Sequence, residues 1–113
     1  MHALPVTAVA ACLQDCLARG LRPVVLDVRE PWEIATACIA PEGAALVTVP
    51  MQQIPARLAE IDPNQPILAL CHHGVRSQQV ALFLDRQGYP EVYNIAGGID
   101  AWSRQVDPTV PVY

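Results

Sequence analysis

The chain has 113 residues, a length that suits one domain and is too short for two. Hydrophobic residues make up 52% and charged residues 16%, so we expect a packed core rather than a disordered segment. The net charge of −4 argues against nucleic acid or an anionic membrane surface as the principal partner. No apolar stretch approaches the roughly 18 residues that a membrane-spanning helix needs.

The N-terminal segment VTAVAAC (6–12) ends like a lipoprotein cleavage site. No lysine or arginine precedes it, however, and residues 13–15 continue a helical pattern instead of opening a polar tail. We therefore interpret this segment as part of the folded chain and expect a cytoplasmic protein.

The first half of the chain alternates helix and strand patterns. Thr7 is a typical helix cap, and Gly20 is a typical helix end. Pro31 favours the first position of a short helix. The short apolar run at 23–28 is typical of a strand that is buried on both faces. The predicted elements are a helix over 7–19, a strand over 23–28, a helix from Pro31, a strand over 44–50 and a helix over 51–61.

The second half repeats this alternation. The predicted elements are a strand over 66–70, a helix over 76–87, a strand over 91–95, a helix over 97–105 and a surface tail. Strands that alternate with helices over short loops predict an α/β domain, doubly wound around a mainly parallel sheet. We expect a single domain over 1–113, with its core at about 7–103 and its tail at 104–113. Ligands of such sheets bind beyond the carboxyl ends of the strands.

The chain has four cysteines, and none of them shows the CxxC spacing of a redox or metal site. Cys12 and Cys16 lie four residues apart on one face of the first predicted helix, where buried thiols serve as small apolar groups. Cys71 is different, because it follows directly after the predicted strand over 66–70. This position puts its thiol at the edge of the sheet where binding sites form.

The 71–76 loop, CHHGVR, joins that strand to the next helix. Gly74 permits a positive φ, so that successive backbone amides can turn inward around an anion. Such a nest at a helix N-terminus stabilises a thiolate, and Arg76 and a protonated His72 or His73 would add positive charge. A metal site at the two histidines is not expected, because adjacent side chains diverge and other ligands are distant in sequence. The loop predicts a nucleophilic Cys71 beneath a small anionic substrate.

Four segments together resemble the single-domain rhodanese-like sulfurtransferases. They are LDVREPWE (26–33), CHHGVRS (71–77), LFLDRQGYPEVYNIAGGIDAW (82–102) and the ending VDPTVPVY (106–113). The resemblance implies a rhodanese fold and a cysteine that cycles through a persulfide. It places the nucleophile at Cys71 and substrate binding at His72, His73, Gly74, Val75 and Arg76. The implied donor is thiosulfate-like, the acceptor is a thiol, cyanide or a protein, and no cofactor or metal is implied.

One region departs from the family pattern. Where members commonly carry GHIPGA and then NIP, this chain has ACIAPEGAALVTVP (37–50), with Cys38 in place of the usual histidine. We interpret Cys38 as a packing substitution, with a resolving thiol as the alternative. Asp27 and Arg29 are interpreted as structural residues, since a buried aspartate at a strand end usually accepts from backbone amides or pairs with an arginine, and direct catalysis is the alternative. The remaining expectations are core positions for Trp32 and Trp102 and a tight turn at residues 97–98.

The leading hypothesis is an enzyme that moves sulfane sulfur, as a monomer or weak dimer. A cysteine phosphatase or arsenate reductase is the second hypothesis, but those enzymes have a C-x5-R loop, whereas Arg76 closes a C-x4-R loop here. A non-catalytic rhodanese-like binding module is the third. Such modules tend to lack the cysteine, which this chain retains together with the arginine.

Overall fold

The computed structural model describes all residues from Met1 to Tyr113 and contains a five-stranded sheet with four α-helices. The strands run in the order β1-β5-β4-β2-β3, and every neighbouring pair is parallel. This confirms the predicted parallel α/β fold. The strands are β1 (His2–Pro5), β2 (Val24–Asp27), β3 (Ala45–Thr48), β4 (Ile67–Leu70) and β5 (Val92–Ala96), and the helices are α1 (Val9–Ala18), α2 (Pro31–Thr36), α3 (Val75–Arg86) and α4 (Gly98–Gln105).

The two central strands carry apolar side chains on both faces. In β2, Val24 and Leu26 pack into the layer that contains α3, whereas Val25 packs into the opposite layer with α1 and α4. All four residues of β2 and of β4 are buried. Because side chains alternate along a strand, a run that is apolar at every position must be covered on both sides. The doubly wound arrangement follows from these two strands.

The strand β1 lies at the edge of the sheet, in a segment where no strand was predicted. It pairs with β5 from His2 opposite Tyr93 to Pro5 opposite Ala96. Its side chains are mostly exposed, and proline is tolerated on an edge strand because one side of that strand needs no amide donor. This strand is therefore stabilised by main-chain hydrogen bonds to β5, and the sequence has no apolar pattern there that would predict it.

Two helix predictions were wrong in detail. The first helix begins at Val9 after a 3-10 turn at Val6–Ala8, and no side chain caps it, so Thr7 is not the cap. The predicted helix over 51–61 consists instead of two 3-10 turns, at Met51–Gln53 and Leu58–Glu60. Pro55 lacks an amide hydrogen and disfavours helical backbone in the residue before it, which explains the break.

The tryptophans and the tail also depart from expectation. Trp32 is 64% exposed and is no core residue, while Trp102 is half-buried against the layer of α1 and α4. The tail does more than cover the surface, because Val110 is buried and the ring of Tyr113 reaches the 71–76 loop. None of the helices combines the length and the apolar character required to cross a bilayer.

Candidate active site

The residues around Cys71 gather at the carboxyl edge of the sheet, between β2 and β4. From β2 the chain continues outward to β3, and it then crosses back to β4 on the other side of β2. Such a change of direction opens a crevice at the strand ends, where ligands of doubly wound sheets bind. Asp27 ends β2, and Cys71 follows directly after β4.

The sulfur of Cys71 is enclosed by the start of α3. The residue is 1% exposed, and its Sγ accepts a hydrogen bond of 3.0 Å from the backbone amide of Gly74. Gly74 has φ +98°, as expected from its place in the loop. A side chain here would also strike the neighbouring turn, because an added Cβ would lie 2.9 Å from the amide nitrogen of Gly97. The glycine thus turns its amide toward the sulfur.

A buried polar pair, Ser77 and Asn94, supports the other side of the sulfur. Ser77 Oγ lies 3.2 Å from Cys71 Sγ and 2.6 Å from Asn94 Oδ1. Asn94 Nδ2 donates to the carbonyl of Gly74 at 3.1 Å, which fixes the amide with its oxygen toward Ser77. Ser77 has one hydroxyl hydrogen, so it can donate to only one of these two acceptors at a time. Sequence reasoning missed this pair, although an asparagine within a buried strand was a usable signal.

Helix α4 holds the main chain of Cys71 and His72. The amide of Ile99 donates to the carbonyl of Cys71 at 2.9 Å, and the amide of Asp100 donates to the carbonyl of His72 at 3.0 Å. Gly98 makes this approach possible, because an added Cβ would lie 2.5 Å from the carbonyl oxygen of His72 and would also strike that of Cys71. This confirms the predicted tight turn at residues 97–98. It also shows that α4 helps to shape the 71–76 loop.

Arg76 does not offer a free positive charge. Its Nη1 and Nη2 atoms bind the two carboxylate oxygens of Glu33 at 2.7 and 2.8 Å. The hydroxyl of Tyr113 donates to the same carboxylate at 2.8 Å. The hydrogen bonds from Arg76 are the main cause that lowers the pKa of Glu33 to about 2, and the one from Tyr113 adds to this effect. The sequence predicted that Arg76 adds positive charge to the loop, and the structure shows that Glu33 pairs with that charge.

Asp27 and Arg29 form a second ion pair beneath the loop. Arg29 Nε and Nη2 bind the carboxylate of Asp27 at 2.9 and 2.7 Å, and both side chains are fully buried. Arg29 Nη1 also donates to the hydroxyl of Tyr113 at 3.0 Å. Asp27 thus makes both of the structural contacts that the sequence suggested, with a backbone amide and with an arginine. Two arginines and two carboxylates near the loop thus cancel in pairs, which leaves backbone amides as the main electropositive groups.

The histidines of the loop stack instead of diverging as predicted. The rings of His72 and His73 have centroids 3.8 Å apart, and Tyr113 stacks on the other face of His72, also at 3.8 Å. Ligand atoms of both histidines and of Asp100 lie within 4.8 Å of one another. The sequence argument against a metal site assumed that the two adjacent side chains diverge, and these rings do not.

The remaining cysteines lie in other surroundings. All four are free thiols. Burial is the main cause that raises the pKa of Cys12 and that of Cys16, the latter to about 11, which disfavours the reactive thiolate at neutral pH. Cys38 is exposed, and its thiol lies 3.7 Å from the carbonyl oxygen of Ile39. Only Cys71 combines a strand end, an amide donor and a helix N-terminus.

The sequence of this chain is similar to that of a known protein family. Residues 10–105 match the family described as Rhodanese-like domain. The chain belongs to the rhodanese-like family. This confirms the resemblance seen in the sequence, and it covers the 71–76 loop together with α3 and α4.

Three curated proteins are similar to parts of this chain. A sulfurtransferase from Allochromatium vinosum is 40% identical over 87 residues, which cover 77% of this chain and 78% of the relative. A thiosulfate sulfurtransferase from Actinobacillus pleuropneumoniae is 41% identical over 56 residues, half of this chain and 52% of the relative. The Rhodanese-like/PpiC domain-containing protein 12 of Arabidopsis thaliana is 40% identical over 93 residues, 79% of this chain but 30% of the relative.

The rhodanese fold is also seen in solved structures. A rhodanese-like domain protein from Staphylococcus aureus superimposes with a TM-score of 0.72 at 26% identity, over 100% of this chain and 99% of that one. The five parallel strands and four helices therefore form a rhodanese-like fold over the whole chain.

Proposed function

We propose that this rhodanese-like protein transfers sulfane sulfur from a thiosulfate-like or persulfide donor to a thiophilic acceptor through a persulfide on Cys71. The observation that supports this most is the environment of the Cys71 sulfur, which accepts the Gly74 amide at 3.0 Å and lies at the N-terminus of α3. Amide donors and a helix N-terminus stabilise negative charge that develops on a sulfur beside them. Relatives that carry the names sulfurtransferase and thiosulfate sulfurtransferase add support.

The proposed reaction has two displacements. The Cys71 thiolate attacks the outer sulfur of thiosulfate, the sulfur–sulfur bond breaks, and sulfite leaves with the bonding electron pair. The outer sulfur of the resulting persulfide is then attacked by cyanide, a thiol or a protein thiolate, and Cys71 leaves as the thiolate. Covalent catalysis of this kind divides one difficult transfer into two easier ones. Neither step needs a metal or cofactor.

The 71–76 loop would bind the donor. The first-turn amides of α3 at Val75, Arg76 and Ser77 have no acceptor within the protein, as is usual at a helix N-terminus, and would donate to an anionic sulfur or oxygen. His72 and His73 would form one wall of the site. Preorganised amides stabilise charge that develops on sulfur without the need to reorganise water.

Intact-protein mass spectrometry after incubation with thiosulfate tests the proposal directly. We expect one added sulfur atom on the wild-type protein and none on Cys71→Ser. Cys12→Ser, Cys16→Ser and Cys38→Ser serve as matched controls and should each retain the added sulfur, which cyanide should then remove. Loss of the added sulfur in Cys38→Ser would replace this mechanism with one that uses two thiols. A wild-type protein that gains no sulfur from thiosulfate or from a persulfide would refute the proposed activity.

A further inference from the structure

Glu33 holds a full negative charge against the arginine of the loop. It is 3% exposed, and its two carboxylate oxygens bind both terminal nitrogens of Arg76 in a bidentate pair. Such fork-to-fork pairs are among the strongest side-chain contacts because two parallel hydrogen bonds reinforce the attraction of the charges. The guanidinium that would otherwise attract an anion is therefore neutralised before a donor arrives.

The carboxylate of Glu33 is also fixed in position from two further directions. The backbone amide of Glu30 donates to Oε1 at 3.1 Å as part of a capping box at the start of α2. The hydroxyl of Tyr113 donates to Oε2 at 2.8 Å. A carboxylate with this many donors gains little by turning away, so we expect Glu33 to stay beside Arg76 when a donor binds.

Among the ion-paired side chains around the loop, the charge balance depends on Glu33. Arg29 is neutralised by the buried Asp27, so Arg76 and Glu33 decide the net charge that a donor meets from these side chains. With Glu33 ionised that sum is zero, and attraction comes mainly from backbone amides. Amides are partial charges, which suit a single negative charge better than two.

We propose that Glu33 is a specificity-determining residue that makes the site favour donors with one negative charge over donors with two. This inference rests on the proposed sulfur transfer and specifies its substrate class. Monoanionic persulfides and thiosulfonates fit the site, whereas the thiosulfate dianion is accepted less readily. Glu33 acts through Arg76 and through the field at the loop, and it makes no bond to the reacting sulfur.

Two small donors differ in the required way. Thiosulfate carries two charges, and methanethiosulfonate carries one because a methyl group replaces a charged oxygen. With thiosulfate, the Cys71 thiolate forms a bond to the sulfane sulfur and sulfite leaves with the electron pair. With methanethiosulfonate, the same bond forms and methanesulfinate leaves with the electron pair. Both reactions yield the same Cys71 persulfide, so their rates can be compared on one protein sample.

The size of the effect follows from the Coulomb energy of one charge pair. Two unit charges about 6 Å apart, at an effective dielectric constant of about 40, change an equilibrium by roughly tenfold. Removing the charge of Glu33 removes the repulsion of two charges on a dianion and of one charge on a monoanion. The ratio of the second-order rate constants for thiosulfate and methanethiosulfonate should therefore rise by roughly tenfold in Glu33→Gln.

The experiment measures the rate of Cys71 persulfide formation with each donor, by quenched-flow mass spectrometry, at donor concentrations far below saturation. The proteins are wild type, Glu33→Gln, Glu33→Asp and Glu42→Gln. Glu33→Asp keeps the charge and disturbs the packing, and Glu42→Gln changes the net charge at an exposed position outside the site. Because both donors act on the same sample, the ratio does not depend on the fraction of protein that is folded.

The proposal expects the ratio to rise in Glu33→Gln alone. A ratio that stays at the wild-type value in Glu33→Gln would overturn it, and so would an equal rise in Glu33→Asp or in Glu42→Gln. Failure of the proposed function looks different, since the wild-type protein would then form no persulfide with either donor.

Discussion

Replacing Gly98 by alanine tests whether α4 shapes the loop that contains Cys71. An alanine Cβ would lie 2.5 Å from the carbonyl oxygen of His72 and against that of Cys71. Ordinary contacts of a Cβ begin near 3.4 Å, so the loop or the helix must move by about 1 Å. That movement breaks the hydrogen bonds from the amides of Ile99 and Asp100 to the two carbonyls.

The expected loss of stability has two parts. Gly98 has φ +60°, a conformation that costs an L-residue roughly 1–2 kcal/mol. Two backbone hydrogen bonds contribute about 1 kcal/mol each. We expect Gly98→Ala to lower the free energy of unfolding by about 3–4 kcal/mol and to slow sulfur transfer by about a hundredfold, because a displacement of about 1 Å disturbs attack geometry to that extent.

Gly88→Ala is the matched control. Gly88 also has a positive φ, +91°, but an added Cβ there would meet no atom within 4 Å. It should therefore show the backbone cost alone, roughly 1–2 kcal/mol, and normal sulfur transfer. Urea unfolding gives the stability of both variants, and single-turnover persulfide formation at saturating donor gives their activity. If Gly98→Ala matched Gly88→Ala in both measurements, the role assigned to α4 would be refuted.

Two further predictions concern the ion pair and the loop length. The pKa of Glu33 is lowered from 4.5 to about 2, so the pair stabilises the protein above pH 4.5 and loses this effect as the pH falls toward 2. In urea unfolding at pH 7, the free energy of unfolding of the wild type should exceed that of Glu33→Gln by about 2 kcal/mol. This is less than the pKa shift alone would give, because water screens the partly exposed Arg76. A difference between the two proteins that does not narrow in acid would contradict this prediction. The C-x4-R loop should be too small to hold a phosphate with its phosphorus in line with the Cys71 sulfur. We therefore expect no hydrolysis of aryl phosphates. Robust phosphatase activity that depends on Cys71 would contradict the sulfurtransferase assignment.

The central part of the fold could be predicted from the sequence because its signals are local. The apolar runs of β2 and β4 show strands covered on both faces, and the glycine after α3 marks its end. The edge strand β1 could not be predicted this way. Its partner β5 lies some 90 residues further along the chain, and the contact is made by main-chain groups that every residue possesses.

The candidate site shows the same contrast between residues with a local sequence signal and residues brought in from distant segments. Cys71 and Gly74 were identified because both belong to one short loop with its own sequence pattern. The partners of that loop come from distant segments. Glu33 lies 43 residues from Arg76, and Tyr113 lies 80 residues from Glu33. Sequence reasoning therefore singled out Cys71 and the charge of Arg76, and only the packed structure shows the carboxylate that pairs with that arginine.

The grip of α4 on the loop has a consequence for protein synthesis. A ribosome makes Cys71 before it makes Ile99 and Asp100, whose amides hold the carbonyls of Cys71 and His72. Until those later residues have emerged and docked, the thiol lacks the fixed geometry that its chemistry requires. We therefore expect an unfinished chain to load no sulfur, and under the proposed function persulfide formation on Cys71 would indicate that the C-terminal helix is in place.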